Sequence, residues 1–268
     1  TAMLVQNTNP AAVAPDTNRV LKGLKRDDLF LCVHEQFLTE TAQLADIVLP
    51  ATMFLEHDDI YQAGGHMHLQ IHRAVIEAPE QTRSNHWVIN ELAKRLGAQH
   101  PGFGMTEWEL IDKTLLDSGW PSADALLEKK WHDVQPSFAD SHFLNGFPTS
   151  TGRFQFSADW SKLGPLGSKL PNYPDHCDNI DSATAEKPFR LITSPARNYL
   201  NTSFTETPTS KRKEVRPTVK IHPDAASQLC LEDGDKVRLG NEQGSVVLNV
   251  SIFSGLQTNV VVVESVWP

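Results

Sequence analysis

Two short apolar runs, Ala2–Gln6 and Asp28–Val33, enclose a helix-length amphipathic stretch, and this pattern restricts the fold more than any other feature of the chain. Met3-Leu4-Val5-Gln6 reads as a buried strand, stopped by the turn-forming Asn7-Thr8-Asn9-Pro10. Pro15-Asp16 then opens a helix expected to run through Leu24, with Val20, Leu21 and Leu24 at helical spacing. Strand, helix and strand in so short a span form a βαβ unit, so the strands must be parallel and the crossover right-handed. Asp46–Pro50 supplies a third strand. Ser84 caps a helix predicted to reach Leu96, with Val88, Leu92 and Leu96 on one face and Gly97 as its stop. Residues 1–100 are therefore expected to be α/β, with a parallel sheet of the dinucleotide-binding type.

The pattern loosens between residues 101 and 186. Helices are expected over 107–115 and 123–130, and a turn followed by a strand within Pro148–Phe156. The stretch 164–185 is rich in Pro, Gly, Ser, Asn and Asp and reads as a connection between domains. From 187 onward the chain is strand-like. Strands are expected at Phe189–Ile192, Val219–Ile221, Lys236–Leu239, Ser245–Phe253 and Asn259–Val263. A short helix follows His222-Pro223, and Gly234 serves a turn that needs positive φ. In Ser245–Phe253, Val246, Leu248, Val250 and Ile252 alternate with the intervening residues, as in a strand with one buried face. So many short strands and so little helix predict a closed β-barrel over 187–268.

Hydrophobic residues make up 40% of the 268 and charged ones 21%, the balance of a globular chain. A net charge of −9 without a long basic run argues against a nucleic-acid surface. Cys32, Cys177 and Cys230 are too few and too far apart for an iron–sulfur cluster or a disulfide framework. Cys32, in an apolar run, and Cys230, between leucines, read as small core residues. There is no membrane-length apolar segment and no signal peptide, which suits a cytoplasmic protein. The chain starts inside a strand-like run and stops at Val263–Pro268, so a longer parent polypeptide is expected.

In an open parallel sheet, ligands sit beyond the carboxyl ends of the strands. That rule selects the Asn9 loop after the first strand and His34-Glu35 after the second. An Asn amide can both donate to and accept from a purine or ribose edge, and a carboxylate accepts from ribose hydroxyls. Arg83-Ser84-Asn85-His86-Trp87 forms a polar helix start, able to meet a phosphate or purine or simply to cap the helix. Thr193-Ser194-Pro195-Ala196-Arg197-Asn198-Tyr199-Leu200-Asn201-Thr202 gathers hydroxyls, amides and a guanidinium into ten residues after a strand, a composition suited to pyrophosphate or to a polar turn. His66, His68 and His72, with His57-Asp58-Asp59 before them, admit a metal site or an exposed polar hairpin. His222 and Asp224 read as caps of a short helix rather than as catalytic groups.

The twelve residues Thr39-Glu40-Thr41-Ala42-Gln43-Leu44-Ala45-Asp46-Ile47-Val48-Leu49-Pro50 resemble a signature of the dimethyl sulfoxide reductase family of molybdopterin oxidoreductases. The Thr193–Thr202 loop and the run Val219–Ala226 with Glu232–Asp235 are similar to the family's C-terminal domain. The resemblance implies an α/β guanosine-binding part at 1–100, a connection at 101–186 and a double-psi β-barrel at 187–268, truncated at its end. It implies a molybdopterin guanine dinucleotide held by Asn9, His34, Glu35, Thr39, Asn85, Thr193, Ser194, Arg197, Tyr199, Asn201 and Thr202. Glu35 and Asn85 depart from the family, which more often has Asp at both places. The parent would be a molybdenum oxidoreductase with a bis-molybdopterin guanine dinucleotide. Its metal ligand, and any iron–sulfur cluster, would lie in a preceding N-terminal half, and its electron partner would be another protein. This portion alone would hold no metal, retain no cofactor and show no turnover. The competing readings are a stand-alone nucleotide- or phosphate-binding module, and a small metal-dependent hydrolase built around residues 57–72.

Overall fold

In the computed structural model, the residues described are 1–157, 159–173, 175 and 183–267. In chain order the strands and helices are β1 (Ala2–Gln6), α1 (Pro10–Val13), α2 (Thr17–Leu24), β2 (Phe30–Glu35), β3 (Ile47–Pro50), β4 (Asp59–Gln62), β5 (His68–His72), α3 (Asn85–Leu96), α4 (Glu107–Asp117), α5 (Ala123–Lys129), β6 (His132–Asp133), α6 (Phe138–Ser141), β7 (Arg190–Pro195), α7 (Pro208–Glu214), β8 (Thr218–Ile221), α8 (Pro223–Gln228), β9 (Lys236–Gly240), β10 (Ser245–Ile252) and β11 (Val260–Ser265). They form two compact units. One contains residues 1–57, 74–104 and the described part of 182–268; the other contains 58–73 and the described part of 105–181.

The first unit starts with the expected βαβ arrangement. β1, β2 and β3 lie side by side in that order, all parallel, with Met3 opposite Leu31, Val5 opposite Val33 and Val33 opposite Val48. The apolar stripe of α2 explains the packing. Val20, Leu21 and Leu24 cover Val5, Leu31 and Val33 on one sheet face. On the opposite face Phe30 and Ile47 are exposed, whereas His34 is fully buried. Asp46 closes the sheet's amino end by accepting the Leu31 backbone N–H at 2.7 Å. The Ser84 hydroxyl accepts the Trp87 N–H at the start of α3, and Gly97, at φ 69°, ends the helix in the left-handed conformation.

Residues 187–267 form one mixed sheet in the order β7-β11-β8-β10-β9. β7/β11 and β8/β10 are parallel pairs, and β11/β8 and β10/β9 are antiparallel. Its core joins Val219, Ile221, Leu248, Val250 and Val261 to Ala225 and Ala226 of α8. The closed barrel expected from the sequence is not formed. Among the described residues β7 and β9 remain open edges, so the sheet ends rather than wrapping onto itself. The alternation in β10 is also only partly used: Leu248 and Val250 are buried, whereas Val246 and Ile252 are exposed. The αL residue Cys230 (φ 54°) is exposed too, which corrects its reading as a core residue.

The second unit pairs β4 with β5 and β5 with β6, all antiparallel. Leu69 and Ile71 of β5 pack on Ile111 and Leu115 of α4 and Leu126 of α5, giving this unit its own core. No strand forms at 153–156. The turn at Gly146 and Gly152 instead brings Phe147 to 5.4 Å from Phe154, which meets Phe156 edge-on at 4.9 Å. Among the described residues no strand lies beside them, and the aromatic residues settle on each other. The expected connection at 164–185 lies partly outside the described residues, as does Cys177.

Candidate functional site

Two loops at the carboxyl ends of β1 and β2 are buttoned together by Asn9 and Thr41, both buried. Asn9 Oδ1 accepts from the Thr41 hydroxyl at 2.7 Å and from the Thr41 N–H at 3.2 Å. The same hydroxyl oxygen accepts the Ala11 N–H at 3.0 Å. Asn9 Nδ2 donates to Glu40 Oε2 at 2.7 Å. This network explains why Asn9 starts α1 without capping it through its side chain. A small, shallow recess opens above the clasp. Asn9, Thr39 and Glu40 line one side, and Thr202, Thr205 and Glu206 the other. The recess is rich in acceptors: the one proton of the Thr205 hydroxyl is within reach of both the Thr202 carbonyl, at 2.9 Å, and Glu206 Oε2, at 2.8 Å.

Beside the recess runs the loop after β7. Arg197 is exposed and, among the described residues, its guanidinium has no hydrogen-bonding or ionic partner. Asn201 takes a left-handed conformation at φ 52°, and Leu200 and Ser203 exchange backbone hydrogen bonds at 3.1 and 2.8 Å. Thr193 is exposed on β7, and Ser194 is half-buried beside it. Tyr199 points inward, edge-on to Trp267 at 5.4 Å and only 5% exposed. Burial, with Glu214 and Glu206 nearby, pushes its phenol pKa above the ordinary tyrosine range.

The structure thus gathers Asn9, Thr39 and Thr202 in one recess, with Arg197 and Asn201 on the adjoining loop. Three of the expected contacts sit elsewhere. His34 is fully buried: its Nε2 faces the Arg83 carbonyl at 3.0 Å and so carries the proton, and Nδ1 accepts from Gln6 Nε2 at 3.1 Å. Both ring nitrogens are occupied, so His34 ties the sheet to Arg83 instead of presenting an edge to a ligand. Glu35 is half-buried at the end of β2, where its Oε1 accepts the Gln36 N–H at 2.7 Å. Asn85 is exposed in the first turn of α3. Sequence reasoning passed over Thr41, Glu40, Thr205 and Glu206. The alternation Thr39-Glu40-Thr41 directly after a strand was the available signal for the first two.

The histidines of 57–72 are used locally. His72 Nε2 meets the Tyr61 hydroxyl at 2.7 Å, His66 Nδ1 accepts the His68 N–H at 3.0 Å, and His57 Nδ1 meets the Thr52 hydroxyl at 2.8 Å. Among the described residues no group of three His, Cys, Asp or Glu side chains converges as a metal site would need. His222 Nδ1 accepts the Asp224 N–H at 3.1 Å, as a helix cap.

Two family profiles match the segments that meet at this recess. The molybdopterin oxidoreductase profile covers residues 1–95, and the molydopterin dinucleotide binding domain covers 189–268. The chain belongs to the molybdopterin oxidoreductases. The chain is 32% identical to the probable oxidoreductase YoaE of Bacillus subtilis over 99% of its own length and 39% of the relative's. It is 25% identical to the trimethylamine-N-oxide reductase of Haemophilus influenzae, over 97% of the chain and 35% of that protein. The chain therefore spans between about a third and two fifths of the length of these relatives. Acetylene hydratase from Pelobacter acetylenicus shares its fold, with a TM-score of 0.80 at 22% identity over 98% of this chain and 37% of that one.

The donor set suits a dinucleotide cofactor of the family. The Arg197 guanidinium and the backbone N–H groups of Arg197 and Asn201, which have no partner among the described residues, match a diphosphate. The carboxylates and threonine oxygens of the recess match the N–H edge of a guanine rather than a phosphate, which two carboxylates would repel.

Proposed function

We propose that this chain is the part of a molybdenum oxidoreductase that grips the guanosine diphosphate end of a molybdopterin guanine dinucleotide. The meeting of Asn9, Thr39 and Thr202 in one recess carries this reading, because these residues come from the two segments that match the cofactor-binding profiles. Glu40 and Glu206 would accept from the guanine N–H groups, and Asn9 and the threonines would orient the base. Arg197 would hold the diphosphate, with Thr193, Ser194 and Asn201 beside it. When bound, the cofactor supplies two-electron or oxygen-atom chemistry at its molybdenum, and the protein supplies orientation and electrostatics. The similarity to named reductases supports a redox reaction for the whole enzyme. In that enzyme a further part of the polypeptide would carry the metal ligand and any iron–sulfur cluster, and a separate protein would exchange electrons with it. The five-stranded sheet of 190–265 would be the body of a double-psi barrel. Cys32 and Cys230, both free thiols, favour a cytoplasmic setting.

Substituting Arg197→Ala in the whole enzyme tests the reading. Loss of a charge-assisted contact costs about 1.5–3 kcal/mol, so cofactor retention should fall roughly ten- to hundredfold. Thermal stability should be unchanged, because the side chain is exposed and has no partner among the described residues. Measuring released pterin and guanosine monophosphate per chain decides it: undiminished content would remove Arg197 from the site.

A further inference from the structure

One side chain of the neighbouring helix grips the loop after β7 at its centre. Glu214, the last residue of α7, accepts at Oε1 from the Asn198 backbone N–H at 2.6 Å and from Asn198 Nδ2 at 2.8 Å. Asn198 stands between the exposed Arg197 and the buried Tyr199. Fixing its backbone and its amide together therefore fixes both neighbours, the guanidinium outward and the phenol inward.

The helix end that carries Glu214 is itself strained. Val215 sits at φ 65° and ψ −67°, and the Arg216 N–H donates back to the Glu214 carbonyl at 2.7 Å. This is a γ-turn of the rare, strained hand, and a β-branched residue in it is an outlier. Packing does not impose the conformation, since Val215 is 74% exposed. The fixed ends impose it. The Val215 N–H donates to the Lys211 carbonyl at 3.0 Å. Two residues on, the Pro217 carbonyl accepts from both the backbone N–H and Nδ2 of Asn249, at 3.1 and 3.0 Å. Only Val215 and Arg216 span the gap between α7 and the pinned start of β8. Strain of this kind persists where the surroundings over-determine a geometry, often beside a functional loop.

We propose that Glu214 is a positioning residue, set by this turn, that pre-forms the Arg197–Thr202 loop for its ligand. The inference rests on the reading of that loop as the diphosphate-holding one. It is tested by amide hydrogen exchange in the cofactor-free protein, together with guanosine content of the loaded enzyme, for Glu214→Ala and Glu214→Gln. Gln keeps the accepting oxygen and Ala removes it. In Glu214→Ala, exchange of the bonded Asn198 and Leu200 amides should speed up at least about tenfold while β8 and β10 stay protected, and in Glu214→Gln it should stay within about threefold of the parent. Guanosine content should fall in the first variant and hold in the second. Unchanged exchange in Glu214→Ala, or loss of protection throughout the sheet, overturns the proposal. A loosened loop with full guanosine content would uphold the positioning role and defeat the cofactor reading of the loop.

Discussion

His34 and Cys32 lie two positions apart on β2, and their surroundings give them separate duties. His34 meets the carbonyl of Arg83 and the amide of Gln6 in a fully buried place, so replacing it strands both partners. His34→Leu should lower unfolding free energy by about 1–3 kcal/mol while leaving guanosine content per folded chain unchanged. Chemical denaturation together with cofactor analysis checks both halves. Cys32 is partly buried, and burial pushes its thiol pKa up. At neutral pH it should stay protonated and react slowly with an alkylating reagent, while the exposed Cys230 reacts first. Raising the pH above the ordinary thiol range should be needed before Cys32 labels at a comparable rate; equal labelling at neutral pH would show it to be open to solvent. The sequence marked Asn9, Arg197 and Thr202 because loop position and residue type suffice to suggest polar contact, and Thr39 only through the resemblance of Thr39–Pro50 to the family signature. It could not separate His34 from them. Whether a polar side chain at a strand end faces a ligand or a carbonyl 49 residues away depends on long-range packing.

Helix and strand limits were the most legible level, because caps and apolar spacing act locally. Ser84 and Gly97 bound α3 as the sequence predicted, and the limits of α4 and α5 fall within two residues of expectation. α7 went unseen: Pro208–Glu214 carries no apolar stripe and buries no residue, so periodicity had nothing to detect. The strand expected near Phe154 failed for lack of a partner, since strand patterning does not guarantee a neighbour. α4 shows how local the helix signals are. Thr106 and Glu109 form a reciprocal capping box, with the Thr106 N–H on Glu109 Oε2 at 2.7 Å and the Glu109 N–H on the Thr106 hydroxyl at 3.3 Å. Thr106→Ala should cost about 1 kcal/mol of stability. The bonds from the Thr106 backbone and then its hydroxyl hold the Glu109 pKa below the ordinary carboxylate value. A depressed folded pKa means that its stabilisation is complete above the unfolded pKa and fades as pH falls through the folded one. Melting temperatures followed into acid should therefore fall less steeply for Glu109→Gln than for the parent. Identical acid slopes would exclude a contribution from this carboxylate.

Over the whole molecule, strand composition identified the last eighty residues as a β region but could not show how the strands close. Closure depends on which edges meet, and β7 and β9 do not pair here. The edges are protected in another way: β9 carries Lys236 and Arg238, and β7 begins at Arg190, charges that discourage a second sheet from adding. Nor did composition show that 1–57 and 74–104 cluster with the C-terminal sheet, although the stretch between them belongs to a separate unit. Asn18 Nδ2 donates to the Gln243 carbonyl at 2.6 Å, and both segments line the recess. These contacts cross the whole sequence, so a cut in the middle of the chain should not part the two segments. The turn-forming composition of 164–185 makes that stretch the expected first target of limited proteolysis. The nicked protein should yield two pieces on a denaturing gel yet elute as one species under native conditions. First cleavage within 28–60, with 164–185 intact, would refute the boundary. Separation of the pieces without denaturant would refute the joint recess on which the proposed cofactor grip depends.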